Sequence, residues 1–338
     1  MPEPTVSIVL PIYNRAAFLP QALASIRGQR FEDWELIVVD DGSTDNSRAI
    51  LDRETAGMTQ SFTYIYQENQ GMYGARNAGL SRARGRYLAF FDSDDVWLSH
   101  HLHDCVASLD TNSDVDWIYA ACRIVDWTTG KEMAPDSFRI QGRTRPFLSL
   151  HTERRGDLYV LDDPASLECQ LRDGLYCGVQ NAVMRPSVFA GRRYRGSRDN
   201  VAEDEILLIK ALAGGVRLAY FDRVHVIYHV HRDNSSAAAK EDDRERRVKV
   251  YAGIAAGLED LRREGILKRA EQRALEQRLS VEYFWHLGYN LHWQHGYRAQ
   301  ALSYFWRGIK LTPGNWRLWK TFLLALIRVM LPFSRRRQ

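Results

Sequence analysis

Three carboxylates stand in four positions at Asp92-Ser93-Asp94-Asp95, directly after the apolar run Tyr87–Phe91. Carboxylates crowded this closely repel one another unless a cation or a hydroxyl partner lies between them. Hard oxygen donors of this kind suit Mg²⁺ or Mn²⁺, ions that complete their shells with water and substrate phosphate oxygens. A turn capping the next helix would need only one Asp or Ser, so capping alone does not account for the cluster. Two further polar clusters end apolar runs: Pro11-Ile12-Tyr13-Asn14 after Val6–Leu10, and Asp40-Asp41-Gly42-Ser43 after Leu36–Val39. An acidic group at a strand edge can accept hydrogen bonds from a nucleoside, although Asp-Gly-Ser is also an ordinary turn and helix start. Glu203-Asp204-Glu205 opens an apolar helix, where helix dipoles favour acidic residues whether or not they catalyse. His229 and His231 follow in Tyr228-His229-Val230-His231; either could meet a metal or a diphosphate, or stand solvated in a loop.

The elements that must position these residues follow from periodicity. Val6–Leu10, Leu36–Val39, Phe62–Tyr66 and Tyr87–Phe91 are short apolar runs, separated by amphipathic stretches such as Phe18–Arg27 and Asp45–Arg53. That alternation predicts βαβ units around a mostly parallel, Rossmann-like sheet flanked by helices. Ligands then bind where the strands end at their carboxyl edge, which is where the polar clusters stand. A helix after Ser99 and a strand at Asp116–Val125 continue the pattern, and Thr128–Asp173 reads as a polar, irregular, substrate-binding insertion. Val179–Met184, a helix over Val201–Ala213 stopped by Gly214-Gly215, and a strand from Val216 to Val230 complete the domain. A loop at Asp233–Lys240 marks the boundary, giving a catalytic domain over 1–236, with halves 1–98 and 99–236, and a helical extension over 241–338.

A chain of 338 residues fits such a two-part division. The four cysteines form no CxxC pair, which argues against a zinc site or disulfide framework, so a reducing cytoplasm is the expected compartment. Val6–Leu10 is too short for a signal peptide or a span.

The succession Val6-Ser-Ile-Val-Leu-Pro-Ile-Tyr-Asn14, Glu35-Leu-Ile-Val-Val-Asp-Asp-Gly-Ser-Thr-Asp45, Gly74-Ala-Arg-Asn-Ala-Gly79 and Phe91-Asp-Ser-Asp-Asp95 resembles the inverting family 2 glycosyltransferases of GT-A fold. Four motifs in order cover about 95 residues; the likeness thins towards Ser236 and does not reach the C-terminal hundred. The resemblance implies that Pro11, Tyr13, Asn14 and Asp41 hold the nucleoside of a nucleotide-sugar, with Tyr13 at the base and Asp41 accepting from its imide nitrogen. Arg76 would approach the base or phosphates. Asp92-Ser93-Asp94 corresponds to the DXD motif, Asp92 at the ribose and Asp94 on Mn²⁺ or Mg²⁺; Asp95 has no assigned role. Asp204 matches the family's base, with Glu203 and Glu205 as alternates. Tyr228–Ser235 resembles the closing YRxHxxNxS pattern, with His229 where Arg is usual and His231 as a further metal ligand or diphosphate contact. The implied activity is inverting transfer, from a UDP-sugar first among donors, to a glycan or lipid-linked glycan in cell-envelope or exopolysaccharide synthesis.

A nucleotidyltransferase would announce itself with a Gly-rich basic phosphate loop near the N-terminus, and none stands there. A non-catalytic nucleotide-sugar-binding scaffold is the other alternative; the intact Asp92, Asp94 and Asp204 speak against it. The net formal charge is +4, yet all nine Lys and Arg after Glu282 lie in a stretch without Asp or Glu. With the apolar, Trp-flanked segment Trp316–Phe333 and Arg335–Arg337, this predicts a peripheral position on an anionic membrane at the inner face of the plasma membrane, or a helix docking on the protein's own core. No nucleic-acid partner is expected. Glu241–Arg273 reads as one charged helix, and Val281–Pro313 as a helical hairpin whose spacing resembles half of one tetratricopeptide unit.

Overall fold

The computed structural model describes residues 3–194, 201–231, 234 and 243–330. The chain divides into two compact units, residues 1–231 and 232–338. The loop at Asp233–Lys240, Asn234 apart, and the Arg335–Arg337 tail lie outside the described residues.

The first unit begins with β1 (Val6–Ile12), α1 (Leu19–Arg27), β2 (Trp34–Asp40), α2 (Ser47–Thr55), β3 (Ser61–Tyr66), α3 (Met72–Leu80) and β4 (Tyr87–Phe90). Every residue of β1, β2 and β4 is buried, as expected of parallel strands covered on both faces. β1 pairs in parallel with β2 on one side and β4 on the other, and β2 with β3. The chain therefore builds outward from β1 to β3, then returns to place β4 on β1's opposite edge. The gap between β1 and β4 is a topological switch point, where open α/β sheets bind ligands at the carboxyl ends of strands.

Past β4 come β5 (Val96–Trp97), α4 (His101–Thr111), β6 (Trp117–Asp126), β7 (Glu132–Ala134) and the two-residue strands β8 (Arg139–Ile140) and β9 (Arg143–Thr144). Then follow β10 (Thr152–Arg155), β11 (Leu158–Leu161), α5 (Ser166–Arg172), β12 (Ala182–Met184), α6 (Glu203–Ala213) and β13 (Leu218–Val230). The sheet order is β10-β11-β13-β6-β12-β4-β1-β2-β3, parallel in its long pairs and joined through antiparallel β12. Helices flank it, the GT-A arrangement that the resemblance implied. Thr128–Asp173 departs from expectation: it is not irregular but holds β7–β11, with β10 and β11 extending the sheet beyond β13.

The second unit contains α7 (Arg244–Glu264), α8 (Arg269–Val281), a π-helix (Glu282–Trp293), α9 (Arg298–Leu311) and α10 (Trp316–Met330). The single charged helix read over Glu241–Arg273 is two helices, because Gly265 takes a left-handed φ of 66° that ends α7. α9 packs back on the π-helix, where Gly288 and Gly308 leave room for Phe305 and Phe284. No described helix is long and apolar enough to cross a membrane.

Two features of the first unit give tests. A Cβ on Gly79 of α3 would collide with Val9 of β1 and press on Val39 of β2. Gly79→Val is expected to destabilise the protein by about 1–3 kcal/mol through overpacking, read as a lower denaturation midpoint. His101 and His225 are fully buried with Nδ1 atoms 3.4 Å apart, and Arg223 Nε donates to His225 Nε2 at 3.1 Å. Burial, then the charge of neighbouring imidazoles, pushes His101 down to about 3 and His225 to about 2. The unfolded chain takes up these two protons below about pH 6.5 and the folded chain does not. Stability is therefore expected to fall as pH drops from 6.5 to 5, by up to about 1.4 kcal/mol per pH unit per histidine. Replacing both by Gln should flatten this slope in denaturant titrations; an unchanged slope would contradict the assignment.

Candidate active site

At the carboxyl end of β4 the polypeptide leaves the sheet as Asp92–Asp95, and α3 delivers Arg76 to the same place. Arg76 is completely buried. Its Nη2 donates to Asp92 Oδ1 at 2.7 Å and its Nη1 to Asp204 Oδ1 at 2.6 Å. Asp204 is the second residue of α6, whose start turns on Ala202 at a left-handed φ of 73°. Thus one guanidinium ties the strand-end cluster to the helix-start acid, 112 positions apart in sequence (204 − 92). The side chain of Arg76 is 1% exposed, whereas those of Asp92 and Asp204 are 24% and 31% exposed, so the carboxylates face outward and the cation inward. Tyr73, Phe90 and Tyr194 surround the guanidinium at 5.6, 6.0 and 5.7 Å, and the Asn77 amide holds the Tyr194 backbone from both sides.

The three strand-end carboxylates have different environments. Burial raises the Asp92 carboxyl, Arg76 opposes that, and the neighbouring Asp94 and Asp204 add to it. For Asp94, burial is outweighed by the His231 hydrogen bond and the charge of Arg15, which hold it below the usual range. Its Oδ2 lies 2.8 Å from His231 Nε2. Asp95 is 1% exposed and, among the described residues, accepts the His229 N–H at 3.2 Å on Oδ1 and leaves Oδ2 buried without a partner. Burial, followed by repulsion from Asp94 and Asp92, raises it far above an ordinary carboxyl. Asp95 thus lies beneath the loop in surroundings that disfavour its charge.

His229 Nδ1 lies 2.7 Å from the Asp94 carbonyl, an acceptor only, so Nδ1 carries the proton. The histidine that departs from the family pattern therefore fastens the Asp94 backbone, and His231 meets the Asp94 carboxylate. Phe18 lies against the His231 ring with centroids 4.8 Å apart.

The nucleoside side is built from β1 and β2. Pro11 is buried, and Tyr13 is 47% exposed with its ring available at the rim. Asn14 takes a left-handed φ of 51°, which asparagine tolerates. Its Oδ1 accepts the Thr44 N–H at 2.8 Å and its own N–H donates to Ser43 Oγ at 2.9 Å, tying the first loop to the second. Asp41 is buried, accepting from Gln67 Nε2 and the Gln70 N–H on Oδ1 and from the Gly71 N–H on Oδ2, at 2.7–2.8 Å. It organises the chain leading into α3. Ser93 is buried within its cluster. The structure thus gathers Arg76, Asp92 and Asp204 into one contact group and Asp94, His229 and His231 into another. Tyr73, Asn77 and Tyr194 were missed, having no signal beyond an apolar or polar position near a motif.

The Asp94–His231 pair fits a divalent cation. The 2.8 Å between Oδ2 and Nε2 is a hydrogen bond in this structure, and both donor atoms would face one ion once that proton is lost. Carboxylate with imidazole suits Mn²⁺ better than Mg²⁺, which prefers oxygen alone.

Residues 7–158 match the family described as Glycosyl transferase family 2. An uncharacterized glycosyltransferase of Nostoc sp. is 38% identical over 137 residues, 40% of this chain and 41% of that protein. WfgD of Escherichia coli, named as a UDP-Glc:alpha-D-GlcNAc-diphosphoundecaprenol beta-1,3-glucosyltransferase, is 33% identical over 137 residues, 40% of this chain and 53% of that one. The chain spans about two fifths of the length of the first curated relatives it matches. Among solved structures, TarS 1-349 of S. aureus in complex with UDP-GlcNAc has a TM-score of 0.59 at 19% identity, covering 96% of this chain and 87% of that one, a likeness of fold. Residues 7–158, which hold the three strand-end clusters and Arg76, are therefore a domain of the glycosyltransferase family 2 type.

Proposed function

We propose that the protein transfers a sugar from a nucleotide-sugar, a UDP-sugar first among donors, to a hydroxyl of a glycan or lipid-linked glycan, with inversion, in cell-envelope or exopolysaccharide synthesis. The observation that carries this reading is Arg76 paired at once with Asp92 and Asp204 beside the switch point. It holds an acid on the donor side and an acid suited to the acceptor side at one buried cation. The printed names of WfgD and of the TarS complex, with UDP-Glc and UDP-GlcNAc, support the donor class, and WfgD supports a lipid-diphosphate-linked acceptor.

The exposed Tyr13 ring stacks on the base, and Pro11, Asn14 and Asp41 shape the nucleoside pocket around it. Ser93 and Asp92 face the ribose. Mn²⁺ or Mg²⁺ held by Asp94 and His231 would supply positive charge opposite the leaving diphosphate. Asp204 accepts the acceptor hydroxyl's proton as its oxygen bonds to the anomeric carbon. The bond from that carbon to the diphosphate oxygen breaks in the same step, and the diphosphate departs with the electron pair. No covalent enzyme intermediate forms.

Turnover across a panel of UDP-, GDP- and dTDP-sugars with Mn²⁺ tests the reading, and a UDP-sugar is expected to be used best. Asp204→Asn should lower kcat by about 10²–10⁴ while leaving the donor KM nearly unchanged; parental turnover would remove Asp204 as the base. Asp94→Ala should raise the Mn²⁺ concentration needed for half-activity, and an unchanged metal dependence would remove Asp94 as a ligand.

A further inference from the structure

Helix α10 has two opposed apolar faces. One is used within the second unit: Leu318 and Ala325 are buried in a cluster with Phe284, Phe305 and Ile309. The other faces solvent along the whole helix, with Trp316 at 65%, Leu323 at 53%, Ile327 at 52% and Met330 at 77% exposure. These residues recur at intervals of seven, four and three, so they form one stripe at 100° per residue. Lys320, Arg317 and Arg328 are exposed along one border of it. Trp306 of α9 adjoins the helix, its ring 6.0 Å from Trp319 and 6.2 Å from Phe322. Lys310 and Lys320 stand over Trp306 and Trp316 at 5.5 and 5.9 Å.

We propose that the exposed stripe of α10 lies in the surface of an anionic lipid bilayer, parallel to its plane. Its 15 described residues extend about 22 Å and carry Arg317, Lys320 and Arg328, and no described helix is long and apolar enough to cross a membrane. Lying flat, it buries the stripe at the acyl boundary while the bordering cations meet lipid phosphates and the tryptophans sit at headgroup level. The charge decides against a second copy as occupant. All nine Lys and Arg after Glu282 lie in a sequence without one acidic residue, so two such faces repel across a symmetric contact and an anionic surface attracts each. The surface is independent of the transfer reaction, which soluble donor hydrolysis reads separately.

The test is flotation of the full chain with vesicles of phosphatidylcholine alone and of phosphatidylcholine with one third phosphatidylglycerol. Binding is expected only to the anionic vesicles. L323E with I327E should lower it more than tenfold, with unchanged donor hydrolysis and circular dichroism in solution. R317Q, K320Q and R328Q together should lower it about a hundredfold, near fivefold per charge, and keep the proposal open to test if the Glu pair fails to fold. No binding to anionic vesicles, equal binding to both compositions, or parental binding by folded variants would overturn the proposal. A parent dimer that the Glu pair makes monomeric, without vesicle binding, would give the stripe to a second copy.

Discussion

A buried guanidinium is costly to desolvate and is retained only when its charge is matched and its donors are used. Arg76 has its charge matched, and both terminal nitrogens used, by two carboxylates that the chain could scarcely bring together otherwise: Asp92 just past β4 and Asp204 at the start of α6. Among the described residues its Nε is buried without a partner. The rest of the rim follows from this arrangement. α3 must pack tightly enough on β1 and β2 to push Arg76 inward, which is what Gly79 permits against Val9. The aromatic side chains of Tyr73, Phe90 and Tyr194 enclose the cation and keep water from it. Asp92 is held by the arginine, burial and its acidic neighbours raise Asp95, and the His231 contact helps to hold Asp94 below the usual carboxylate range. A cluster that looks like three equivalent acids is sorted by burial into three different ones.

Much of the rim was legible because sheets place function at strand ends, and here each apolar run is followed at once by its polar cluster. The order β3-β2-β1-β4 then makes the β1/β4 edge the sheet's switch point. What was illegible is tertiary. The sequence of α3 shows a buried face but not that Arg76 on it meets residues 16 and 128 positions away. Nor does the run Asp92–Asp95 show which acid points into the core; only the packing of β13 places the His229 N–H over Asp95. Thr128–Asp173 was read as irregular because strands such as Thr152–Arg155 carry no apolar alternation and are ordered by pairing at the sheet's edge. The break at Gly265 lay in a charged stretch whose glycine looked no different from one tolerated mid-helix.

The two units differ in sequence character and in charge. The family match lies within the first, over residues 7–158. The second has its own core of Phe284, Phe305 and neighbours, and carries the unbalanced basic charge.

The central claim is that one bidentate arginine holds the donor-side and acceptor-side acids in working register. Sugar transfer by Arg76→Lys tests it most directly, because lysine keeps the charge but presents a single ammonium in place of the planar fork. The account predicts a folded protein whose kcat falls at least a hundredfold. A folded Arg76→Lys protein that transfers sugar at the parental rate would contradict it.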